Sequence, residues 1–344
     1  MLRSQALHPL LWLCTLFQLS LALPLHATAT YALTVIKNVT HPATFENIGT
    51  RHNGQLLLTS TLSSKVYQVD PFREHAMNTI VDIPHTTGLL GIAELEEDVF
   101  YVISANLSSV EGVSDSNFIW KFDMRDRHVG FRSNQEKIPT IVPSLVANMS
   151  NAQLLNGMSH LADNDTKSLL VGDSQAGRIY KLDVNTGSHQ IISDDDDLKS
   201  APTGLQIGVN GIHVRGSHLF FTNFNKRIFG RMPISLSTGF PTGPVEVLVN
   251  GVRGDDFAVS SDGKTAWIAL NGQSTLLEVD IPGKSARVVV KSPYLESASS
   301  VSVGRTLFDR DSLYVSSAGV FNSAPGINAT VTRGIVARVD LPKA

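Results

Sequence analysis

The sequence predicts an all-β fold, a six-bladed β-propeller closed by an N-terminal strand. Three observations lead there. One strand pattern recurs six times, no stretch of any length carries a helical period, and the 26 glycines and 15 prolines are spread evenly, as many short strands joined by turns require.

The repeat is an apolar strand, a polar turn and an alternating strand that tends to end in Asp. Residues 56–59 precede 65–70, 99–103 precede 118–123, and 169–172 precede 178–183. Likewise 219–222 precede 227–232, 266–269 precede 275–280, and 313–316 precede 335–340. Asp70, Asp123, Asp183, Asp280 and Asp340 end the second strand of the pair; in the fourth unit Met232 stands there. A further strand lies upstream of each pair, at 47–50, 90–95, 156–161, 210–214, 255–259 and 299–303. The spacing matches kelch-type blades. A sandwich gives no reason for six similar units, whereas radial repetition does, because it leaves only short, protected sheet edges.

Residues 31–39 alternate like a strand ahead of the first unit and are expected to join the last blade, whose own residues end the chain. The 344 residues, enough for two average domains, therefore read as one domain over 30–344. Longer interruptions split the second unit (104–117) and the sixth (317–334), and others lie between units (124–147 and 188–208). Long loops in a compact fold are functional or disordered. The acidic run 194–197 reads as a solvated loop.

The first 29 residues read separately. Arg3, an apolar run over 10–23 and small residues at Ala22, Ala27 and Ala29 describe a secretory signal peptide cut between 22 and 29. No later segment is long and apolar enough to span a membrane. The destination is the secretory pathway, outside the cell or in a vesicular lumen. N-x-S/T sequons at Asn38, Asn106, Asn148, Asn164 and Asn328 fit that route as glycosylation sites. The single cysteine, Cys14, lies in the signal, so the mature chain has none. That excludes a disulfide scaffold, a cysteine nucleophile, a thiolate zinc site and an iron–sulfur cluster. A net charge of −3 without a Lys/Arg cluster argues against a nucleic-acid partner.

Aligning the upstream strands by their apolar residues puts Glu46, Leu90, Asn156, Asn210, Asp255 and Ser299 at one register. The first strand of a propeller blade lines the central channel, so this register aims most of them at one point on the axis. Glu46, Asn156, Asn210 and Asp255 offer two carboxylates and two amide oxygens, hard ligands that suit Ca²⁺, Mg²⁺ or Mn²⁺. Taken singly, Asn-Gly and Asp-Asp are turn residues before strands; the shared register favours the channel.

At these residues the chain resembles the SMP-30/gluconolactonase-like superfamily of six-bladed propellers, in its fungal secreted branch. The stretches that carry the resemblance are 46–59, 155–158, 208–212, 255–259 and 304–315. In lactonase members a Glu, two Asn and an Asp hold a divalent cation, and the resemblance places them on Glu46, Asn156, Asn210 and Asp255. The flanks depart from the lactonase pattern: Asn47-Ile48 follows Glu46, Gly157-Met158 follows Asn156, and Asp256 follows Asp255. The same branch includes hetero-Diels–Alderases, which join an o-quinone methide to a terpene alkene. Such a catalyst needs an enclosed apolar pocket and a few donors that polarise the heterodiene, and it requires no cofactor.

The resemblance therefore implies a biosynthetic cyclase acting on a small apolar molecule. A divalent-metal lactonase is the alternative, and a non-catalytic binding propeller is the third class. His160, His213 and Asp255 are the catalytic candidates, the histidines because they titrate near neutral pH, although either suits the core equally well. His85, Leu90, Phe224 and Ser299 are the substrate-binding candidates. Trp120, Tyr180, Phe221 and Phe229 read as packing between blades. Ser60, Asp173, Asn223 and Asn271 read as turn caps at the ends of second strands.

Overall fold

The computed structural model describes residues 31–42, 44–73, 77–108, 111–125, 140–317 and 333–342. Six four-stranded antiparallel sheets stand around an axis. Counted from the axis outward, blade 1 is Ile48–Thr50, Leu56–Leu58, Lys65–Val69 and Met77–Asp82. Blade 2 is Gly88–Glu96, Val99–Ala105, Phe118–Asp123 and Ser144–Asn148, with a small hairpin of Leu107–Ser108 and Glu111–Gly112 beside it. Blade 3 is Leu155–His160, Ser168–Asp173, Arg178–Asp183 and His189–Ser193. Blade 4 is Val209–Arg215, His218–Asn223, Ile228–Pro233 and Glu246–Asn250. Blade 5 is Gly254–Val259, Thr265–Leu270, Thr275–Asp280 and Ser285–Lys291. Blade 6 takes Ala298–Val303, Ser312–Ser317 and Gly334–Asp340, and its outermost strand is Leu33–Val39 from the other end of the chain.

The N-terminal strand thus closes the ring, pairing from Leu33↔Val339 to Val39↔Gly334. The only helical turns among the described residues are two three-residue 3₁₀ pieces, Asp196–Leu198 and Pro293–Leu295. No helix among the described residues is long and apolar enough to cross a membrane. The segment expected to be a signal, with Cys14, lies outside the described residues.

Blades 1 to 5 each have one strand more than the repeat predicts. The stretches 124–147 and 188–208 were expected as interruptions between units, yet they hold most of the outermost strand Ser144–Asn148 and all of His189–Ser193. Outermost strands face solvent and follow a mixed pattern, so they carry a weaker signal. The recurrent Asp has a local cause: it caps the turn into that outer strand. Asp70 Oδ1 accepts from Phe72 N at 2.9 Å, and Asp183 Oδ1 accepts from Asn185 N at 2.9 Å and Thr186 N at 3.0 Å.

Six apolar clusters fill the six boundaries between blades. Tyr180 packs between blades 2 and 3, Phe221 between 3 and 4, Phe229 between 4 and 5, and Trp120 borders the cluster between 1 and 2. Hydroxyls at the ends of second strands add a polar latch from blade to blade. Thr59 donates to Leu90 O at 2.7 Å, Thr222 to Asp255 O at 2.6 Å, and Ser316 to Glu46 O at 3.0 Å. At the lower end a buried ion pair joins blades 1 and 2: Arg51 donates to both oxygens of Asp98, at 2.9 and 2.6 Å, and to Gln55 and Gln68.

Candidate active site

The site is built by a bulge that recurs near the start of the inner strands. The register between inner and second strand shifts at Leu89/Ile92, Leu155/Met158, Val209/Ile212, Gly254/Phe257 and Ala298/Ser300. Blade 1 does the equivalent ahead of its inner strand, where Glu46 N donates to Thr59 O and Thr59 N donates back to Asn47 O. A bulge leaves residues unpaired and re-aims their side chains. The residues so released are those of the polar register, at the upper end of the ring where the inner strands begin.

Glu46, Asn156, Asn210 and Asp255 retain between 3% and 7% exposure, buried but not sealed. Asp255 accepts an amide N–H on each oxygen, from Asn210 Nδ2 of blade 4 and from Asn271 Nδ2 of its own blade, both at 2.7 Å. Its neighbour Asp256 also turns inward, accepting from His213 Nε2 at 2.9 Å and from Ser300 Oγ of blade 6 at 3.0 Å. The His213 ring stands edge-on to Phe257 with centroids 4.8 Å apart.

These carboxyls are hard to ionise together. Burial pushes the Glu46 carboxyl well above the usual carboxylate range, and the charges of Asp255 and Asp256 push it further. Burial also raises Asp255, to about 7, although the Asn271 and Asn210 amides and the charge of Arg253 counter it. A cluster of this kind holds a proton near neutral pH, so it can donate a hydrogen bond to a carbonyl oxygen or take up a cation. Among the described residues no three His, Cys, Asp or Glu side chains gather as a ligand set. A cation here would rest on the Glu46 and Asp255 carboxyls with the amide oxygens of Asn156 and Asn210, an all-oxygen donor set whose chemistry fits Ca²⁺ or Mg²⁺.

Other candidates lie elsewhere. Leu90 shares the register, but its side chain packs into the core between blades 2 and 3 because an apolar group at the bulge gains more there. Ser299 is 1% exposed, and its hydroxyl donates to Phe45 O at 2.8 Å beside Ser316 Oγ, which ties blade 6 to the segment ahead of blade 1. Both are corrections: neither side chain presents itself to a substrate. His85 is exposed in the loop before blade 2, at φ +57°, lining a shallow depression with Ser64, Asp82 and Asn106 and with none of the axial residues. His160 ends its inner strand, away from the mouth, with Nε2 3.2 Å from Asp163 Oδ1. Burial lowers its pKa, helped by His213 and Arg215 and opposed by Asp163.

Asn38, Asn148 and Asn164 are exposed, whereas Asn106 is half-buried and accepts from Thr87 N; Asn328 lies outside the described residues. Asp173 and Asn223 cap turns as expected, Asp173 accepting from Ala176 N at 3.1 Å and Asn223 from Lys226 N at 2.9 Å. The acidic run is a solvated turn, with Asp195 capping Asp197 N and Lys199 paired to Asp196.

Three site residues escaped sequence reasoning. Asp256 did so because strand alternation points neighbours to opposite faces, and only the bulge brings both inward. Asn271 sits where Asp173 and Asn223 cap turns, but its amide reaches Asp255. Arg253, two residues ahead of Asp255, lies over the Phe224 ring with the guanidinium carbon 4.6 Å from the centroid.

No protein-family model matches the chain. A protein of Sarocladium schorii named as a hetero-Diels–Alderase is 26% identical over 347 residues, covering 89% of this chain and 82% of that protein. Two solved structures overlay on most of the ring. A luciferin-regenerating enzyme gives a TM-score of 0.62 at 16% identity, covering 90% of this chain and 95% of its own. Regucalcin of Agrobacterium tumefaciens, described as a calcium-binding protein, gives 0.61 at 16% identity, covering 92% and 98%. The fold is the six-bladed ring that these two structures share with this chain. In this chain the site holds two adjacent inward carboxyls, Asp255 and Asp256, with the Arg253–Phe224 contact beside them.

Proposed function

We propose that the protein is a biosynthetic cyclase of fungal secondary metabolism, of the hetero-Diels–Alderase kind. The observation that carries this reading is the named relative, whose similarity runs over 89% of the chain. The site adds compatible chemistry. In such a cycloaddition the oxygen and exocyclic carbon of a quinone methide add across an alkene. One C–C and one C–O bond form and no atom is lost. A protonated Glu46 or Asp255 donates a hydrogen bond to the heterodiene oxygen, drawing electron density from it as the alkene attacks. The amides of Asn156 and Asn210 help to fix that oxygen, and the inner strands around it hold both partners in one relative orientation. The exposed sequons at Asn38, Asn148 and Asn164 support passage through the secretory pathway.

The test is to incubate the protein with a quinone-methide precursor and a terpene beside a heat-inactivated control. A faster reaction to one stereoisomer is expected. Equal rate and a racemic product in both samples would overturn the reading.

A second reading, divalent-metal lactone hydrolysis, has one observation in its favour: Glu46, Asn156, Asn210 and Asp255 form an oxygen donor set at one register. A cation bound there would polarise the lactone carbonyl. The chain's own residues would then seat the ring oxygen and admit water from the mouth. Lactone turnover that disappears on chelation, and in Glu46→Gln and Asp255→Asn, is expected of that reading; turnover unchanged by chelation rejects it.

A further inference from the structure

We propose that Arg253, stacked on Phe224 at the channel mouth, is a specificity-determining residue that recognises a negatively charged oxygen on a planar ring of the substrate. The proposal rests on the cyclase reading only in identifying that ring as part of its substrate.

The platform is built into the fold. Phe224 opens the turn after the second strand of blade 4, where its N–H donates to Gly208 O at 3.0 Å. Its ring is 7% exposed, so it is a fixed wall and not a mobile side chain. Arg253 enters from the loop ahead of the inner strand of blade 5, and its guanidinium carbon lies 4.6 Å from the ring centroid. A guanidinium over a ring face is held there by attraction to the ring, and its N–H groups that point away from the ring remain for acceptors.

Among the described residues no carboxylate forms an ion pair with Arg253. The nearby Asp255 has both oxygens taken up by Asn210 and Asn271, so it feels the arginine as a charge and does not hold it. Gly272, at φ +73°, has no side chain to cover the group; a Cβ there would come within 3.6 Å of Nη1.

A planar cation beside a cluster of buried acids sorts ligands by charge and shape. Arg253 lies two residues ahead of Asp255 and its charge is felt there, so it places a fixed cation beside the acidic cluster. An ionised phenol or enol can place its oxygen on the guanidinium edge while its ring extends along the platform. A neutral ring gains only the stacking. The fork of N–H donors suits such an oxygen better than the point charge of a lysine.

The probe is 4-nitrophenol, whose ionised form absorbs in the visible, compared with its methyl ether 4-nitroanisole, which cannot ionise. Wild type is expected to bind 4-nitrophenolate about tenfold more tightly than the ether, a difference of about 1.4 kcal/mol, and to raise the ionised fraction of the bound probe. Arg253→Gln should abolish both effects without lowering the melting temperature. Phe224→Leu keeps the cation but removes the wall and should cut the preference several-fold. A wild type without preference for the anion, or an Arg253→Gln variant that keeps it, overturns the proposal. Should Arg253→Gln fail to fold, Phe224→Leu decides, and an undiminished preference there overturns it. The cyclase reading fails separately: no cyclisation together with an Arg253-dependent preference leaves this site standing. Cyclisation with wild-type kcat/KM and unaltered preference in Arg253→Gln removes this proposal alone.

Discussion

Asp256 accepts a hydrogen bond from His213 Nε2 across the boundary between blades 4 and 5, at 2.9 Å. Its other oxygen accepts from Ser300 of blade 6 at 3.0 Å, so one carboxylate joins three consecutive inner strands. Gly211 beneath it has to be glycine, because a Cβ there would lie 2.2 Å from Asp256 Oδ1. Asp256→Ala leaves two donors without their acceptor and should cost about 1–3 kcal/mol. Asp256→Asn keeps one acceptor oxygen and should cost less. Urea unfolding of the three proteins at pH 7 checks the order, and an alanine variant as stable as wild type would show that the bridge contributes nothing.

The same bulge makes a prediction at blade 3. A Cβ on Gly157 would lie 2.2 Å from Asn210 O and 2.9 Å from Ile212 N, both backbone atoms that cannot swing aside. Gly157→Ala should therefore force blades 3 and 4 apart at the mouth, at a cost of about 1–3 kcal/mol. Because Asn210 moves with its carbonyl, the variant should also lose ligand binding in the channel. A melting temperature and a binding isotherm equal to wild type would contradict this account.

These two residues show what the sequence made legible. The polar register was readable because it repeats in five of the six blades, Leu90 standing in the second, with a fixed offset from the apolar residues. Its neighbours were not, since Asp256 faces the axis only after an irregularity that breaks alternation. Leu90 and Ser299 show the reverse error: register places a backbone position, whereas the side chain then follows its own best partner, apolar core for Leu90 and the Phe45 carbonyl for Ser299. Arg253 and Asn271 lie in turns, and turn residues acquire meaning only from what other blades bring to them. The ring as a whole was legible because six weak signals agree.

The lower end predicts a pH dependence. Burial alone would raise the Asp98 carboxyl, but the hydrogen bonds and charge of Arg51, with His52 beside it, hold it below the usual carboxylate range. A lowered folded-state value means that the stabilisation is complete above the unfolded value of about 4 and is lost as the pH falls through the folded value. The urea midpoint of wild type should fall on acidification below about pH 4. Asp98→Asn should lose about 3–5 kcal/mol at pH 7, because Arg51 stays buried without its counter-charge, and its midpoint should fall less steeply on acidification. Identical pH profiles for the two proteins would rule out Asp98 as the group responsible.

Closure of the ring gives the last prediction. The chain has a single cysteine, so no internal disulfide can clip blade 6, and the pairing of Leu33–Val39 with Gly334–Asp340 does that work. Tyr31 and Leu33 pack against the core between blades 5 and 6, and Ile36 and Val39 against the core between blades 6 and 1. Removing residues 31–39 therefore uncovers apolar surface on both boundaries and leaves Gly334–Asp340, still paired to Ser312–Ser317, as an open edge strand that other chains can extend. The truncated protein should melt at lower temperature and elute as aggregates in size-exclusion chromatography. Added back as a synthetic peptide, residues 31–40 should restore a monomer, since the missing strand binds by the same ladder. A truncated protein that stays monomeric with an unchanged melting temperature would show that the apolar boundary between blades 6 and 1 closes the ring without the strand.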